Sequence, residues 1–97
     1  MYKLHYSKAA EKFFKKIKEK GLKTAFRIAL QKISENPYIG EAKSGDLANV
    51  YGYDVFYNKT NYEIAYNIIE EDGKYVVVIM VGTRENFYKE LKRYYNK

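Results

Sequence analysis

Cysteine is missing from this chain of 97 residues, and histidine and proline occur once each. Without cysteine there is neither a disulfide nor a thiolate zinc site. The fold must therefore rest on its apolar core, and a reducing cytoplasm is the expected setting. One histidine, His5, cannot build a His-rich metal centre, and on the polar side of an N-terminal strand it reads as a surface residue. The nucleophile-elbow pattern GxSxG and the phosphate-cradling GxxxxGK followed by Ser or Thr are also absent, and no metal or cofactor is expected. Long apolar runs are missing too. The longest, Val76 to Val81, is far short of the roughly 20 residues that cross a bilayer. Met1 to Lys20 is charged throughout and lacks the apolar stretch of a signal peptide, so neither secretion nor membrane insertion is expected.

What is present suits a folded globule: 46% apolar and 31% charged residues, interspersed along a length that fits one domain, residues 1–97. The net charge of +6 is unevenly placed. Residues 1–36 carry ten basic and three acidic side chains, and residues 37–97 carry eight and nine. A cationic half points to an anionic partner, RNA or DNA, or else to a merely solvated lysine face. Twelve tyrosines are many for this length. In strands they are first of all packing residues with a hydroxyl at the rim, and they can also stack on exposed bases.

Tyr2, Leu4 and Tyr6 alternate with Lys3 and His5, as in a short strand with one buried face. Ser7 is a candidate N-cap for a helix over Lys8 to Lys20, with Ala10, Phe13, Phe14 and Ile17 on one stripe and Lys8, Lys12, Lys15 and Lys16 opposite. Gly21 is expected to break it. A second stripe of Leu22, Ala25, Phe26, Ala29, Leu30 and Ile33 runs to Asn36-Pro37, making a helical hairpin. Pro37 to Asn49 reads as loop with at most a short helical turn. Three β-rich runs follow, Val50 to Tyr57, Tyr62 to Glu70 and Tyr75 to Val81, joined across Asn58 to Asn61 and Asp72-Gly73 as a meander. The third lacks alternation, as a central strand buried on both faces does. Thr83 is placed to cap a last helix with Phe87, Leu91 and Tyr94 or Tyr95 inward. The order predicts an α+β fold, β-α-α-β-β-β-α, with a small, mostly antiparallel sheet packed against the two-helix hairpin.

Val81 to Tyr88 ends the buried strand, turns at Gly82 and delivers Arg84 and Tyr88 beside the sheet. Here the whole chain resembles a known family. The resemblance rests on the opening strand and Ala10-Glu11-Lys12, Asn36-Pro37, Gly45-Asp46-Leu47 before Val50-Tyr51, Asn61-Tyr62-Glu63-Ile64-Ala65-Tyr66, and Gly82-Thr83-Arg84 with Tyr88. Over essentially its full length the chain is similar to the RelE/ParE superfamily of type II toxin-antitoxin toxins.

The resemblance implies a cytoplasmic toxin held inactive by a cognate antitoxin protein. RelE-like members are metal-independent endoribonucleases that cut mRNA on the ribosome and inhibit translation, whereas ParE-like members poison DNA gyrase. By resemblance, Arg84 is the phosphate-stabilising arginine and Tyr88 stands near the C-terminal tyrosine of the nucleases. A tyrosine of ordinary pKa is a poor base unless cations lower it, and Lys43 is the nearest candidate for that. The chain departs from the nuclease pattern where basic strand residues are expected, at positions held by Gly52, Asp54 and Glu63. Glu63 beside Arg84 could serve as a general base or form an ordinary ion pair. Lys8, Lys12, Lys15 and Lys16 are the candidate RNA-binding face. Three outcomes stay open at this point: a ribosome-dependent nuclease, a gyrase inhibitor without nuclease activity, and an inactive antitoxin-binding homologue.

Overall fold

The first strand, β1 (Lys3–Tyr6), meets the first helix, α1 (Lys8–Lys16), at Ser7. The Ser7 hydroxyl accepts from the Ala10 N–H at 3.0 Å and donates to the Ile79 carbonyl, so the expected cap also ties the helix to the sheet. The computed structural model describes residues 1–95. In it α2 (Lys20–Glu35) follows α1 after three residues, and the chain continues through short 3₁₀ turns at Pro37–Ile39 and Gly45–Leu47. The strands β2 (Glu41–Ala42), β3 (Tyr51–Tyr57), β4 (Thr60–Ile69) and β5 (Tyr75–Thr83) precede α3 (Phe87–Tyr95). The sheet order is β1-β5-β4-β3-β2, with β1 parallel to β5 and every other pair antiparallel.

Several boundaries differ from expectation, each for a local reason. The break between the helices lies at Ile17, not at Gly21. Ile17 turns extended, with ψ 125°, and lays its side chain against the core. Gly21 belongs to the first turn of α2, where an added Cβ would stand 2.2 Å from the Tyr57 hydroxyl. The expected loop Pro37 to Asn49 contains β2, two residues paired with Tyr51 and Gly52, too short for any periodic signal. Thr83 ends β5 instead of capping α3, which starts four residues later. Phe87 and Leu91 point inward as expected, whereas Tyr94 and Tyr95 are exposed.

The sheet has a dry layer on each face. On one, Phe26, Ile33, Val55, Ile64, Tyr66, Val76 and Val78 form the core under α1 and α2, and Phe13 and Phe14 meet the Phe26 ring edge-on at 5.7 and 5.5 Å. On the other, Leu47, Val50, Ala65, Ile79, Phe87 and Leu91 pack beneath α3. A bulge explains why the run through β5 does not alternate. The register shifts by one residue opposite Ala65 and Tyr66, so that Val76, Val78 and Val81 reach the α1/α2 core while Ile79 faces α3. Tyrosine serves packing as expected. Buried Tyr66 donates to the Pro37 carbonyl at 2.6 Å, and Tyr2 and Tyr38 both donate to Glu70.

Candidate active site

The α3 side of the sheet opens at one end into a cleft of about 240 Å³ lined by Ile39, Glu41, Lys43, Gly52, Tyr53, Asp54, Glu63 and Arg84. Its floor follows from the strand register. Asp54 of β3 lies opposite Glu63 of β4, and Glu63 opposite Gly82 of β5, so alternate residues of three neighbouring strands share one face. Arg84 emerges as β5 ends, its N–H donating to the Asn61 carbonyl at 2.8 Å. Lys43 leaves β2 with its N–H bonded to the Val50 carbonyl at 2.9 Å. Tyr88, from the first turn of α3, reaches down to the floor and donates its hydroxyl proton to Glu63 Oε2.

All four residues expected to carry chemistry, Arg84, Tyr88, Lys43 and Glu63, are thus brought together. Their pairing differs from the expected one. Arg84 Nη1 lies 3.2 Å from Asp54 Oδ2 in an ion pair about half exposed on both sides. Among the described residues Glu63 makes no ion pair: it is 2% exposed, bonded to Tyr88 through one oxygen, with Oε1 unpartnered. Lys43 Nζ stands 4.6 Å from the centre of the Tyr88 ring and 2.5 Å from Glu41 Oε1. Burial, and then the bond to Glu63, push the Tyr88 phenol well above its ordinary value, so Tyr88 keeps its proton. Of the nearby cations it is Arg84, not Lys43, that pulls the Tyr88 pKa down, and its pull is outweighed. Burial, reinforced by the Asp54 carboxyl, raises Glu63 to about 7, against the pull of the Tyr88 hydrogen bond. A carboxylate poised there is a competent general base near neutral pH.

Gly52 is part of this arrangement, which a reading of missing cations overlooked. A Cβ at this position would lie 2.5 Å from the Tyr88 hydroxyl, 2.6 Å from Glu63 Oε2 and 2.9 Å from Lys43 Cε. No basic side chain fits without dispersing the cluster. Glu41, on an unrecognised two-residue strand, was also invisible in the sequence. Among the described residues no group of three or more His, Cys, Asp or Glu side chains could hold a metal ion, and no helix is long and apolar enough to cross a membrane. Lys8, Lys12, Lys15 and Lys16 are all exposed, but α1 covers the face of the sheet opposite the cleft.

The fold has solved counterparts. The chain is 24% identical to a chain of the intact E. coli RelBE toxin-antitoxin complex, with a TM-score of 0.68 over 84% of this chain and 95% of that one. A double arginine-to-alanine mutant of E. coli toxin RelE in the free state gives 24% identity and a TM-score of 0.69, covering 95% of this chain and 96% of that one. The same mutant bound to an antitoxin RelB peptide gives 23% and 0.67, with 93% of each chain covered. No curated protein sequence matches the chain. The model of a family described as ParE-like toxin of type II bacterial toxin-antitoxin system matches residues 4–92. With nearly its whole length accounted for, the chain belongs to the ParE-like toxins of type II bacterial toxin-antitoxin systems.

Proposed function

We propose that this toxin is a metal-independent endoribonuclease that cuts mRNA on the ribosome. The observation that carries it is Glu63, a buried carboxyl with one oxygen unpartnered and its pKa near 7, in a cleft that Lys43 and Arg84 also line. Glu63 takes the proton of a 2′-hydroxyl, and the freed oxygen attacks the adjacent phosphorus. Arg84 turns from Asp54 to the charge developing on the phosphate. Lys43 protonates the departing 5′-oxygen, leaving a 2′,3′-cyclic phosphate and a 5′-hydroxyl. Tyr88 acts through Glu63 as a positioning residue, since its own proton is held tightly. The fold shared with E. coli RelE supports the same reading.

One observation favours a second reading, a ParE-type gyrase inhibitor without nuclease activity. Both cleft cations already have acidic partners, and Glu41, Asp54 and Glu63 outnumber Lys43 and Arg84. Brief induction in cells, followed by mapping of mRNA 5′ ends and assay of gyrase-linked DNA breaks, separates the two. In-frame cuts in translated messages support the first reading, and DNA breaks without them support the second.

An antitoxin completes the proposal. The docking place we assign it is the groove of about 450 Å³ between α1 and α2, lined by Tyr6, Phe14, Ile17, Phe26 and Leu30 together with Lys15, Lys23 and Arg27 and a single acid, Glu11. An apolar floor under a basic rim fits an acidic amphipathic helix. Failure of the product of a neighbouring gene to form a stable complex with this chain would remove that part.

A further inference from the structure

We infer that Phe56 and Asn61, in the strand row next to Arg84 and just outside the cleft, form a nucleobase-binding subsite that takes a base of single-stranded RNA whose phosphate is held at Arg84. The inference rests on the ribonuclease reading and adds to it where the substrate is gripped. Phe56 is 70% exposed, the most exposed Phe or Tyr ring among the described residues, and it has no hydroxyl to offer water. β3 is unbroken from Tyr51 to Tyr57, so Gly52, Asp54 and Phe56 lie on one face by strand alternation; Gly52 and Asp54 line the cleft, and Phe56 stands just past it at the strand edge, where it also borders a groove against Ala25, Ile28 and Lys32 of α2. Phe56 is in register with Asn61, and Asn61 accepts the Arg84 N–H through its carbonyl.

Aromatic ring, amide and guanidinium therefore stand in one row across three strand positions. The row spans roughly 10 Å at ordinary strand spacing, a length that the sugar, phosphate and base of a nucleotide bridge. Stacking on an aromatic ring, hydrogen bonding of an amide to a base edge and a cation on the phosphate are the components of single-strand recognition. Nothing in the neighbouring strand blocks approach, because β2 pairs only with Tyr51 and Gly52 and leaves the edge of β3 open at Phe56. An open edge can also accept a strand from a protein partner. The carboxylate of Asp54 beside Phe56 counts against that, since a charge on an edge strand deters strand addition.

The test is anisotropy of a labelled RNA tetranucleotide with a 2′-deoxy sugar at the cleavage position, at low salt, so that binding is read apart from cleavage. Phe56→Ala and Phe56→Leu should both weaken binding by roughly 5- to 150-fold, the range for losing one stacked base, while Phe56→Tyr binds like the wild type. Asn61→Ala should change the preference between A-rich and U-rich tetranucleotides. Wild-type binding by Phe56→Leu, or no binding by the wild-type protein, overturns the subsite. So does a Phe56→Ala protein that keeps its RNA affinity and loses affinity for its antitoxin, which would make the edge a strand-docking site. A wild type that binds through Phe56 yet cuts no mRNA sinks the nuclease and leaves the subsite standing.

Discussion

Burying Glu63 beneath Tyr88 couples one proton to the stability of the whole fold. Its carboxyl sits at about 7 instead of the ordinary 4.5, so the folded state prefers the protonated form. Below about pH 4.5 the group is protonated folded or unfolded and costs nothing. Between there and about 7 the unfolded chain ionises first and stability falls as pH rises, reaching a constant loss of about 1 to 3 kcal/mol above 7. Glu63→Gln should remove this dependence, so that urea midpoints at pH 5 and pH 8 lie closer together than in the wild type. The same variant should abolish mRNA cleavage if the carboxylate is the base. Arg84→Ala should leave the urea midpoint almost unchanged, because its ion pair is exposed on both sides, yet slow cleavage by about 10² to 10³, as losing one oxyanion donor does. Full toxicity of Arg84→Ala at normal expression would sink the nuclease site. The identities of these two residues stood out in the sequence. Their partners did not, because whether Arg84 meets Glu63 or Asp54 depends on side-chain positions across three strands.

Two elements of secondary structure turn on a single residue each, α1 on Ser7 and β3 on Gly52. Ser7 both caps α1 and holds the Ile79 carbonyl, so Ser7→Ala should cost about 0.5 to 2 kcal/mol in denaturant unfolding, the range for losing an N-cap. On β3, Gly52 leaves the space in which Tyr88, Glu63 and Lys43 converge. Gly52→Ala should destabilise by about 1 to 3 kcal/mol through overpacking and push the Tyr88 hydroxyl off Glu63. A pH profile of stability that stays as in the wild type would show that the cluster had absorbed the methyl group. The helices and long strands were legible because apolar spacing is a local signal. The end of α1 and the strand β2 were not. Ile17 leaves the helix to reach the core, and Glu41–Ala42 is a strand only because β3 lies beside it.

Across the whole molecule, the charge asymmetry has a spatial meaning that a linear count cannot supply. The lysine-bearing helix lies on one side of the sheet and the cleft on the other. An RNA or ribosome that uses both must therefore wrap an edge of the molecule. Replacing Lys8, Lys12, Lys15 and Lys16 together by glutamine should weaken ribosome binding and flatten its salt dependence. The log–log slope should fall by up to about 0.9 for each duplex phosphate that is no longer neutralised, and by less for single strands. An unchanged slope would make α1 a solvated face, and the groove it forms with α2 would then belong to the antitoxin alone.

Residue order by itself determined the order of the helices and long strands, the apolar stripes that make them amphipathic and the interior position of β5, while the candidates Arg84, Tyr88, Lys43 and Glu63 came through the resemblance to a known family. The elements and their stripes follow from identity and spacing within a short window, where periods of 2 and 3.6 residues decide which side chains share a face. Tertiary structure alone decided that Gly52 is a space and not a missing cation, and that Tyr88 holds its proton more tightly. It also decided that Glu63 is a buried carboxyl instead of half an ion pair. The reason is physical: pairing, register and desolvation are set by groups far apart in the chain. Tyr88 and Glu63 are 25 residues apart, and only the closed sheet with α3 laid across it excludes enough water to shift them both.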